Sequence, residues 1–172
     1  MGEISSPALS ETDPKFDFGR YEDITPLAVG GSGQVLTAYD PDMKRTVAIK
    51  ILRPDLKVGR YHLARFRQEA QITGGLDHPN IIPIHDMGTM RDGSSYFIMK
   101  HVSGKSLGEI LEDRLRTARH SSQLYDGTSF LRSYLKVCDA VAFAHAHGIV
   151  HRDLKPPNIM LGEFGEVLVM DW

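Results

Sequence analysis

Cysteine is nearly absent from this sequence, since Cys138 is the one cysteine among 172 residues. A single thiol excludes an intrachain disulfide and is typical of a reducing compartment, so we expect a cytoplasmic location. Long apolar runs are missing too, and no stretch approaches the roughly 20 residues that a transmembrane helix needs. We therefore expect no membrane segment in this chain, although a longer parent protein could be anchored through segments outside it.

A strong excess of charge of one sign is also absent. The 20 Lys and Arg residues nearly balance the 22 Asp and Glu residues, giving a net charge of −2 and an isoelectric point near 6.4. This balance excludes the basic footprint of a nucleic-acid-binding protein, so no nucleic-acid partner is expected. The hydrophobic fraction of 41% is that of an ordinary globular protein, and the length allows one domain or two small lobes.

The first part of the chain predicts an antiparallel sheet with one helix. Residues 1–19 are rich in Ser, Pro, Asp and Glu without a sustained period, which predicts a disordered leader. Short apolar runs bounded by glycine- or proline-containing turns predict five strands, over residues 21–29, 33–39, 47–52, 81–87 and 95–101. Between the third and fourth strands, Leu63, Phe66 and Ala70 share one face of a helix predicted over 60–74.

The pattern becomes helical after Gly104. A short helix is predicted over 107–115, a mobile polar insertion over 116–128 and a long helix over 130–147, with apolar residues on two sides and Cys138 in its core stripe. A small hairpin, 158–161 with 167–170, follows. The predicted organisation is a leader (1–19), an N-terminal lobe (20–103) and the start of a second lobe (104–172).

The most informative stretch is His151-Arg152-Asp153-Leu154-Lys155-Pro156-Pro157-Asn158. Two consecutive prolines fix the local backbone and stop a helix from continuing, which predicts a rigid loop. Such a loop can hold a carboxylate base, a cation and a metal-binding amide in fixed relation. Any one of these residues alone is more simply a polar turn after a helix, but the whole set at this spacing indicates a catalytic site.

This stretch resembles the catalytic loop of protein kinases, H-R-D-L-x-x-x-N. The resemblance implies a protein-kinase-like α+β fold, with a five-stranded antiparallel lobe, one helix and the first part of a helical lobe. Asp171-Trp172 stands where the family has Asp-Phe-Gly, so the catalytic domain is expected to be truncated just after it. Lys155 is the residue found in Ser/Thr-directed members, which implies a bacterial-type serine/threonine kinase that transfers the γ-phosphoryl group of ATP to protein hydroxyls.

The resemblance also implies the roles of individual residues. Asp153 would orient and deprotonate the substrate hydroxyl, and Lys155 would neutralise charge on the transferring phosphoryl group. Asn158 and Asp171 would bind Mg²⁺. Lys50, at the end of an apolar strand, would hold the α- and β-phosphates of ATP and would be paired with Glu69 of the following helix.

The nucleotide-binding residues implied by the resemblance lie in three segments. Gly30-Gly31-Ser32-Gly33 joins two strands, as in the kinase loop G-x-G-x-x-G-x-V, with Ala28 in place of the first glycine; a flexible hairpin turn is the alternative for this segment alone. The strand ending at Lys50 and the hinge after Met99 complete the set. The expected ATP contacts are Leu27, Ala28, Val29, Gly30, Gly31, Ser32, Gly33, Val35, Ala48, Lys50, Met99, Lys100, His101 and Val102.

Two other classes of protein stay open on the residues alone. One is an ATP-binding pseudokinase-like module, and the other is an inert kinase fragment that lacks the activation segment and most of the helical lobe. In a fragment, the uncovered apolar side of helix 130–147 predicts self-association. A zinc site at His145, His147 and His151 is not expected, because the first two are two residues apart on a helix and face away from each other.

Overall fold

The computed structural model describes residues 18–29, 33–52, 60–117 and 127–172. The chain divides into two compact units: Met1–Leu63 with Asp86–His101, and Ala64–His85 with Val102–Trp172. Residues 1–17 of the predicted leader and 118–126 of the predicted insertion lie outside the described residues, whereas Phe18 and Gly19 are described and Phe18 is buried. No helix in the described ranges is long and apolar enough to cross a membrane.

The first unit contains a five-stranded sheet in the order β1-β2-β3-β5-β4. The paired neighbours β1–β2, β2–β3 and β3–β5 are antiparallel. Alternating burial along β2 shows the period of two that a half-buried strand requires. The strands are β1 (Glu22–Val29), β2 (Gln34–Asp40), β3 (Arg45–Ile51), β4 (Ile84–Thr89) and β5 (Ser95–Lys100).

One apolar core lies under this sheet. Its central pair is Ile49 and Ile98, which are opposite each other on β3 and β5 and are both fully buried. The guanidinium of Arg20 donates to both carboxylate oxygens of the buried Asp40, at 3.0 and 3.2 Å. This contact joins the segment just before β1 to the last residue of β2. The whole cluster is Phe18, Tyr21, Leu36, Ala38, Val47, Ile49, Ile51, Met90 and Ile98.

The second unit combines helices with a small sheet in the order β6-β7-β8. β6 (Gly104–Ser106) was not expected from the sequence, whereas β7 (Ile159–Gly162) and β8 (Val167–Val169) form the predicted hairpin. The helices are α1 (Arg60–Gly75), whose first four residues group with the first unit, α2 (Leu107–Thr117) and α3 (Gly127–Ala146).

α2 begins with a capping box. The backbone N–H and hydroxyl of Ser106 donate to the carboxylate of Glu109 at 2.7 and 2.8 Å, and the backbone N–H of Glu109 donates back to the Ser106 hydroxyl at 3.1 Å. This reciprocal arrangement satisfies N–H groups that the first turn of a helix leaves without partners.

The core of the second unit explains how the units divide. Leu76 and Ile81, which follow α1, pack in one cluster with Val137 of α3 and Val169 of β8. Residues 64–85 therefore group with the second unit, whereas the lobe boundary at 103/104 remains a prediction. The whole cluster is Leu76, Ile81, Val137, Ala140, Ala144, Ile159, Leu161, Val167, Val169 and Trp172.

α3 is buried along one face only. Its buried residues Val137, Ala140 and Ala144 follow the spacing i, i+3, i+7 and form one face. The prediction that Cys138 is a core residue was wrong, since it is exposed, because one residue along a helix turns the side chain away from that face. Four large apolar side chains of the first half of α3 are 44–59% exposed: Phe130, Leu131, Tyr134 and Leu135.

Candidate active site

The stretch 151–158 forms a compact loop that ends in a 3-10 turn over Pro156–Asn158. Both prolines occupy the first positions of this turn, where a missing N–H group costs nothing. The backbone N–H of Asn158 donates to the carbonyl of Lys155 at 2.9 Å, and that of Asp153 donates to the carbonyl of His151 at 2.8 Å. These local bonds fix the three residues expected to carry the chemistry.

Asp153 and Lys155 form an ion pair within the loop. The Nζ atom of Lys155 lies 2.6 Å from Oδ2 of Asp153, and the two side chains are 48% and 65% exposed, respectively. The Lys155 ammonium lowers the pKa of the Asp153 carboxyl below its ordinary value, aided by the amide of Asn158 and the imidazole of His151, while desolvation works in the opposite direction. Asp153 is consequently a carboxylate at neutral pH, able to accept a hydrogen bond from a hydroxyl.

Asn158 links this loop to the segment that carries Asp171. It is buried, and its amide Nδ2 donates to the carbonyl of Asp153 at 3.0 Å. The backbone carbonyl of Asn158 accepts the backbone N–H of Met170 at 2.9 Å. The structure therefore brings Asp153, Lys155 and Asn158 together and attaches them to the residue that precedes Asp171.

His151 makes a second attachment to the same segment. Its Nε2 lies 2.8 Å from the carbonyl of Met170, and because a carbonyl only accepts, Nε2 must carry the proton. The other ring nitrogen, Nδ1, is buried and has no hydrogen-bond partner in the described ranges. The imidazole also lies against the indole of Trp172, with ring centroids 4.8 Å apart.

The backbone is unusual at two points of this region. Arg152 has φ of +64° and Asp171 has φ of +58°, the left-handed region that residues other than glycine seldom adopt. Such conformations cost free energy and persist only where neighbouring contacts enforce them. Their occurrence in the predicted catalytic loop and at the predicted metal ligand indicates a site held in a defined conformation.

Lys50 lies in the first unit, on β3. It is 5% exposed, and its Nζ is 5.7 Å from the centroid of the Phe97 ring, the residue opposite it on β5. A buried ammonium is costly unless anionic or polar groups meet it, so its burial is consistent with a role in binding an anion. Glu69 lies on α1 in the second unit, and its pairing with Lys50 remains a prediction.

The remaining nucleotide-binding predictions fall in the first unit or at its border. Gly30, Gly31 and Ser32 lie outside the described residues. At Gly33, a Cβ atom would collide with the carbonyl oxygen of Ile51, so close pairing of β2 with β3 requires a glycine here, apart from any contact with phosphate.

The other predicted ATP contacts lie on four strands and the segment after the last of them. Leu27, Ala28 and Val29 are exposed at the end of β1, Val35 is half-buried on β2, and Ala48 is buried on β3. Met99 is buried on β5, and Lys100 is half-buried at the end of that strand. His101 and Val102 follow β5 and are also half-buried. Their contacts with ATP remain predictions.

Comparison with known proteins decides the family. The family model described as the protein kinase domain matches residues 21–172. The chain belongs to the protein kinase family. The prediction made from the catalytic loop and the five-stranded lobe is thereby confirmed.

Similar kinases are bacterial. The chain is 41% identical over 156 residues to the serine/threonine-protein kinase PknD of Protochlamydia amoebophila, covering 88% of this chain and 16% of that protein. It is 36% identical over 156 residues to PknD of Chlamydia pneumoniae, covering 89% and 17%. The crystal structure of the Mycobacterium tuberculosis PknI kinase domain superposes with a TM-score of 0.72 at 27% identity, covering 95% of this chain and 61% of that one. The chain thus spans about one sixth of the PknD proteins.

The kinase family uses ATP and typically a divalent metal ion, and the residues in place suit a magnesium ion. In the described ranges, no group of three or more His, Cys, Asp or Glu residues is arranged to hold a metal ion. Mg²⁺ needs no such group, because it binds through one or two protein oxygens together with phosphates and water. Since Nδ2 of Asn158 donates to Asp153, Oδ1 is the atom that this amide can offer to a hard cation.

Sequence reasoning missed two members of this kinase site. His151 was named in the catalytic-loop motif without a role of its own, and it bonds the carbonyl of Met170. Trp172 was matched only to the phenylalanine of Asp-Phe-Gly, although its Nε1 donates to the carbonyl of Val169 at 3.3 Å. The signal was present, because a buried imidazole or indole N–H needs an acceptor. What the sequence did not specify was which carbonyl accepts.

Proposed function

We propose that this kinase domain transfers the γ-phosphoryl group of ATP to serine or threonine hydroxyls of a protein substrate. The observation that carries the proposal is the bonded set of Asp153, Lys155 and Asn158, attached through Met170 to Asp171. The lysine at 155 and the similarity to serine/threonine-protein kinases support serine and threonine over tyrosine.

The proposed reaction depends on placement more than on base strength. The hydroxyl oxygen of the substrate forms a bond to the γ-phosphorus, the bond from that phosphorus to the β-phosphate oxygen breaks, and ADP leaves. Asp153 accepts the hydroxyl proton. Because Lys155 keeps the pKa of Asp153 low, the carboxylate is a weak base that mainly orients the hydroxyl, as expected where positioning and electrostatics supply most of the catalysis.

Asn158 and Asp171 are the proposed ligands of Mg²⁺. When bound, the ion would neutralise charge on the phosphate oxygens. The protein's contribution is the orientation of two oxygen donors, one an amide fixed by its bond to Asp153 and the other a carboxylate on a backbone held in the left-handed region.

Lys50 is the proposed ligand of the α- and β-phosphates, and Glu69 is its proposed partner. The glycine segment 30–33 and the hinge residues 99–102 are proposed to hold the rest of the nucleotide. Support comes from the burial of Lys50 at the end of a fully buried strand segment. A cytoplasmic location is proposed from the single cysteine.

The test is transfer of labelled phosphate from Mg·ATP to a generic basic protein. The comparison is between the unaltered chain, Asp153→Ala, and Asp139→Ala, which removes an exposed carboxylate of α3. Transfer that is lost in Asp153→Ala and kept in Asp139→Ala supports the proposal. Transfer that survives in Asp153→Ala refutes the assigned base, and absence of transfer by every protein refutes kinase activity for this chain.

A further inference from the structure

We propose that Gly108 is a positioning residue, whose missing side chain lets the first turn of α2 lie against Pro157 and so sets where Asn158 offers its amide oxygen. The inference rests on the proposed function, because it assumes that Asn158 binds Mg²⁺. It assigns a role in metal binding to a residue of α2, a helix that the proposed reaction does not otherwise use.

The glycine at position 108 is not explained by the helix that contains it. Gly108 is the second residue of α2, and glycine is less favourable than alanine in a helix, because its backbone loses more freedom on folding. The capping box is formed by Ser106 and Glu109 and does not use Gly108. Its φ does not lie in the left-handed region that favours glycine. The reason for a glycine therefore lies in what packs beside it.

Pro157 lies directly beside Gly108. A Cβ atom added to Gly108 would sit 3.0 Å from the ring carbon Cγ of Pro157, and 3.1 and 3.2 Å from its backbone N and Cα. Carbon atoms in ordinary van der Waals contact are about 3.5–4.0 Å apart. Pro157 cannot yield easily, because two of these atoms are backbone and the ring fixes φ. Alanine at 108 would therefore displace Pro157 by a few tenths of an ångström.

The first turn of α2 cannot simply move away from Pro157. It continues directly from β6, which pairs with β7. β6 already lies as near to β7 as a glycine permits, because a Cβ atom at Gly104 would collide with the carbonyl oxygen of Leu161. Since the start of α2 is tied to this sheet, the displacement falls on the turn that Pro157 shares with Asn158.

Asn158 presents its amide oxygen in one orientation. The residue is buried, and its Nδ2 donates to the carbonyl of Asp153 at 3.0 Å. A misplacement of about 1 Å in a functional group can cost about 10²-fold. A displacement of a few tenths of an ångström should therefore weaken the binding of a metal ion a few-fold.

The first measurement is ATP affinity by calorimetry, with magnesium chloride and with EDTA, so that it does not depend on turnover. The ratio of the two affinities isolates the magnesium-dependent part of binding. Gly108→Ala places a Cβ atom against Pro157, and Asn158→Ala removes the proposed metal ligand. Gly75→Ala is the matched control, because it adds the same methyl group to a helix glycine with open space beside it.

We expect Gly108→Ala to lower the magnesium-dependent part of ATP affinity about two- to tenfold and to leave affinity in EDTA unchanged. Asn158→Ala should lower it further, and Gly75→Ala should match the unaltered chain. Equal weakening with and without magnesium, or no change in Gly108→Ala while Asn158→Ala loses affinity, overturns the positioning role. Full magnesium dependence in Asn158→Ala overturns the proposed metal ligand instead, and the inference with it.

The contact itself is tested by a second substitution, at Pro157. Pro157→Ala removes Cγ, the atom nearest to the added Cβ, and frees φ so that the backbone can yield. The loss caused by Gly108→Ala should therefore be smaller in a Pro157→Ala background, and an equal loss in both backgrounds overturns the inference. Where Gly108→Ala does not fold, the unaltered chain should still show a nuclear Overhauser cross-peak between Gly108 and the Pro157 ring, and its absence overturns the contact.

A third measurement needs neither nucleotide nor metal. The chain has two asparagines, Asn80 and Asn158, so selective ¹⁵N labelling of asparagine gives two side-chain amide signals. Both amides donate to backbone carbonyls, Asn158 to Asp153 at 3.0 Å and Asn80 to Val167 at 2.9 Å. Gly108→Ala should accelerate hydrogen exchange of the Asn158 amide and leave that of Asn80 unchanged. Equal acceleration of both amides, or unchanged exchange at Asn158, overturns the positioning role.

Discussion

The catalytic loop and strand β3 each carry a charged group assigned to the proposed function, and the two groups are held in opposite ways. Asp153 is 65% exposed and is fixed by short polar contacts within eight residues of sequence. Lys50 is 5% exposed and is fixed by a sheet in which one neighbouring strand, β5, comes from a distant part of the chain. One group is placed by local hydrogen bonds and the other by a packed core.

Because the two groups are held differently, substitutions should impair them in different ways. A local network can lose one polar atom and keep the fold, because few buried apolar contacts depend on it. The position of a buried lysine on a central strand depends on the residues that pack against the sheet. Substitutions at the catalytic loop should therefore act on chemistry, and substitutions around β3 should act on nucleotide binding and stability together.

The largest expected effects separate these two groups directly. Asp153→Ala should lower phosphoryl transfer about 10²- to 10⁴-fold and leave ATP affinity nearly unchanged, because the carboxylate is assigned to the hydroxyl of the substrate. Lys50→Ala should weaken ATP binding about ten- to a hundredfold, as expected for hydrogen bonds to a charged group. Initial rates and calorimetric titration with Mg·ATP give the two quantities.

Lys105→Ala is the matched control for this pair. Its ammonium is 61% exposed and pairs with Asp113 on α2, so its removal should change neither quantity. An equal loss of ATP affinity in the Asp153 and Lys50 variants would contradict the separate roles assigned to the two residues.

The second prediction concerns the core that carries Lys50. Ile98→Ala should lower the free energy of unfolding by about 2–5 kcal/mol, because Ile98 is fully buried opposite Ile49 and its truncation leaves a cavity. Leu115→Ala, at a side chain that is 80% exposed, should change it by less than about 0.5 kcal/mol. Urea unfolding followed by circular dichroism measures both, and similar midpoints for the two variants would contradict the placement of Ile98 in the core.

The sequence predicted those parts of the molecule that are specified locally. The catalytic loop is the clearest case, because the prolines and the three polar residues lie within eight positions and need no distant partner to be recognised. Strands β1, β2, β3 and β5 were likewise found within one or two residues of their observed bounds, since glycine and proline turns separate them.

The remainder depended on contacts between distant residues. The fourth strand begins at Ile84 rather than at the predicted 81, because Ile81 and Ile82 bond β8 instead: Ile81 forms a parallel bridge with Val169, and the N–H of Ile82 donates to its carbonyl. β6 has three residues and exists only through pairing with β7. The exposure of Cys138 was unpredictable for the same reason, since a helical period does not show which face finds a partner.

The third prediction tests the exposed apolar face of α3. Leu131 and Leu135 are 56% and 54% exposed and lie one turn apart, so we expect the chain to self-associate through them at high concentration. Leu131→Gln with Leu135→Gln should weaken the association at least about tenfold, given the free energy of burying such side chains. Leu115→Gln is the control for a single exposed leucine elsewhere. Light scattering coupled to size-exclusion chromatography reports the mass, and a clean monomer of the unaltered chain at high concentration would contradict the prediction.

The prediction with the smallest expected effect tests whether local polar contacts also stabilise the second unit outside the catalytic loop. Ser106→Ala should lower the free energy of unfolding by about 0.5–2 kcal/mol, because it removes the helix cap of α2. The backbone N–H and hydroxyl of Ser106 lower the pKa of Glu109 below its ordinary value. The stabilisation is therefore complete above the ordinary pKa of glutamate, and it is lost as the pH falls through the lowered value of the folded state.

Glu109→Gln should flatten this acid limb, and Glu112→Gln, at a 69% exposed position of the same helix, should not; unfolding curves between pH 7 and about pH 3 distinguish them. The capped end of α2 also lies close to the catalytic loop. Gly108, in the first turn of α2, lies so close to Pro157 that an added Cβ would sit 3.0 Å from its ring, and Pro157 belongs to the turn that carries Asn158. If Ser106→Ala lowers magnesium-dependent ATP affinity along with stability, the local network extends from the catalytic loop through α2. If stability alone falls, the network ends at Asn158 and the cap serves only the fold.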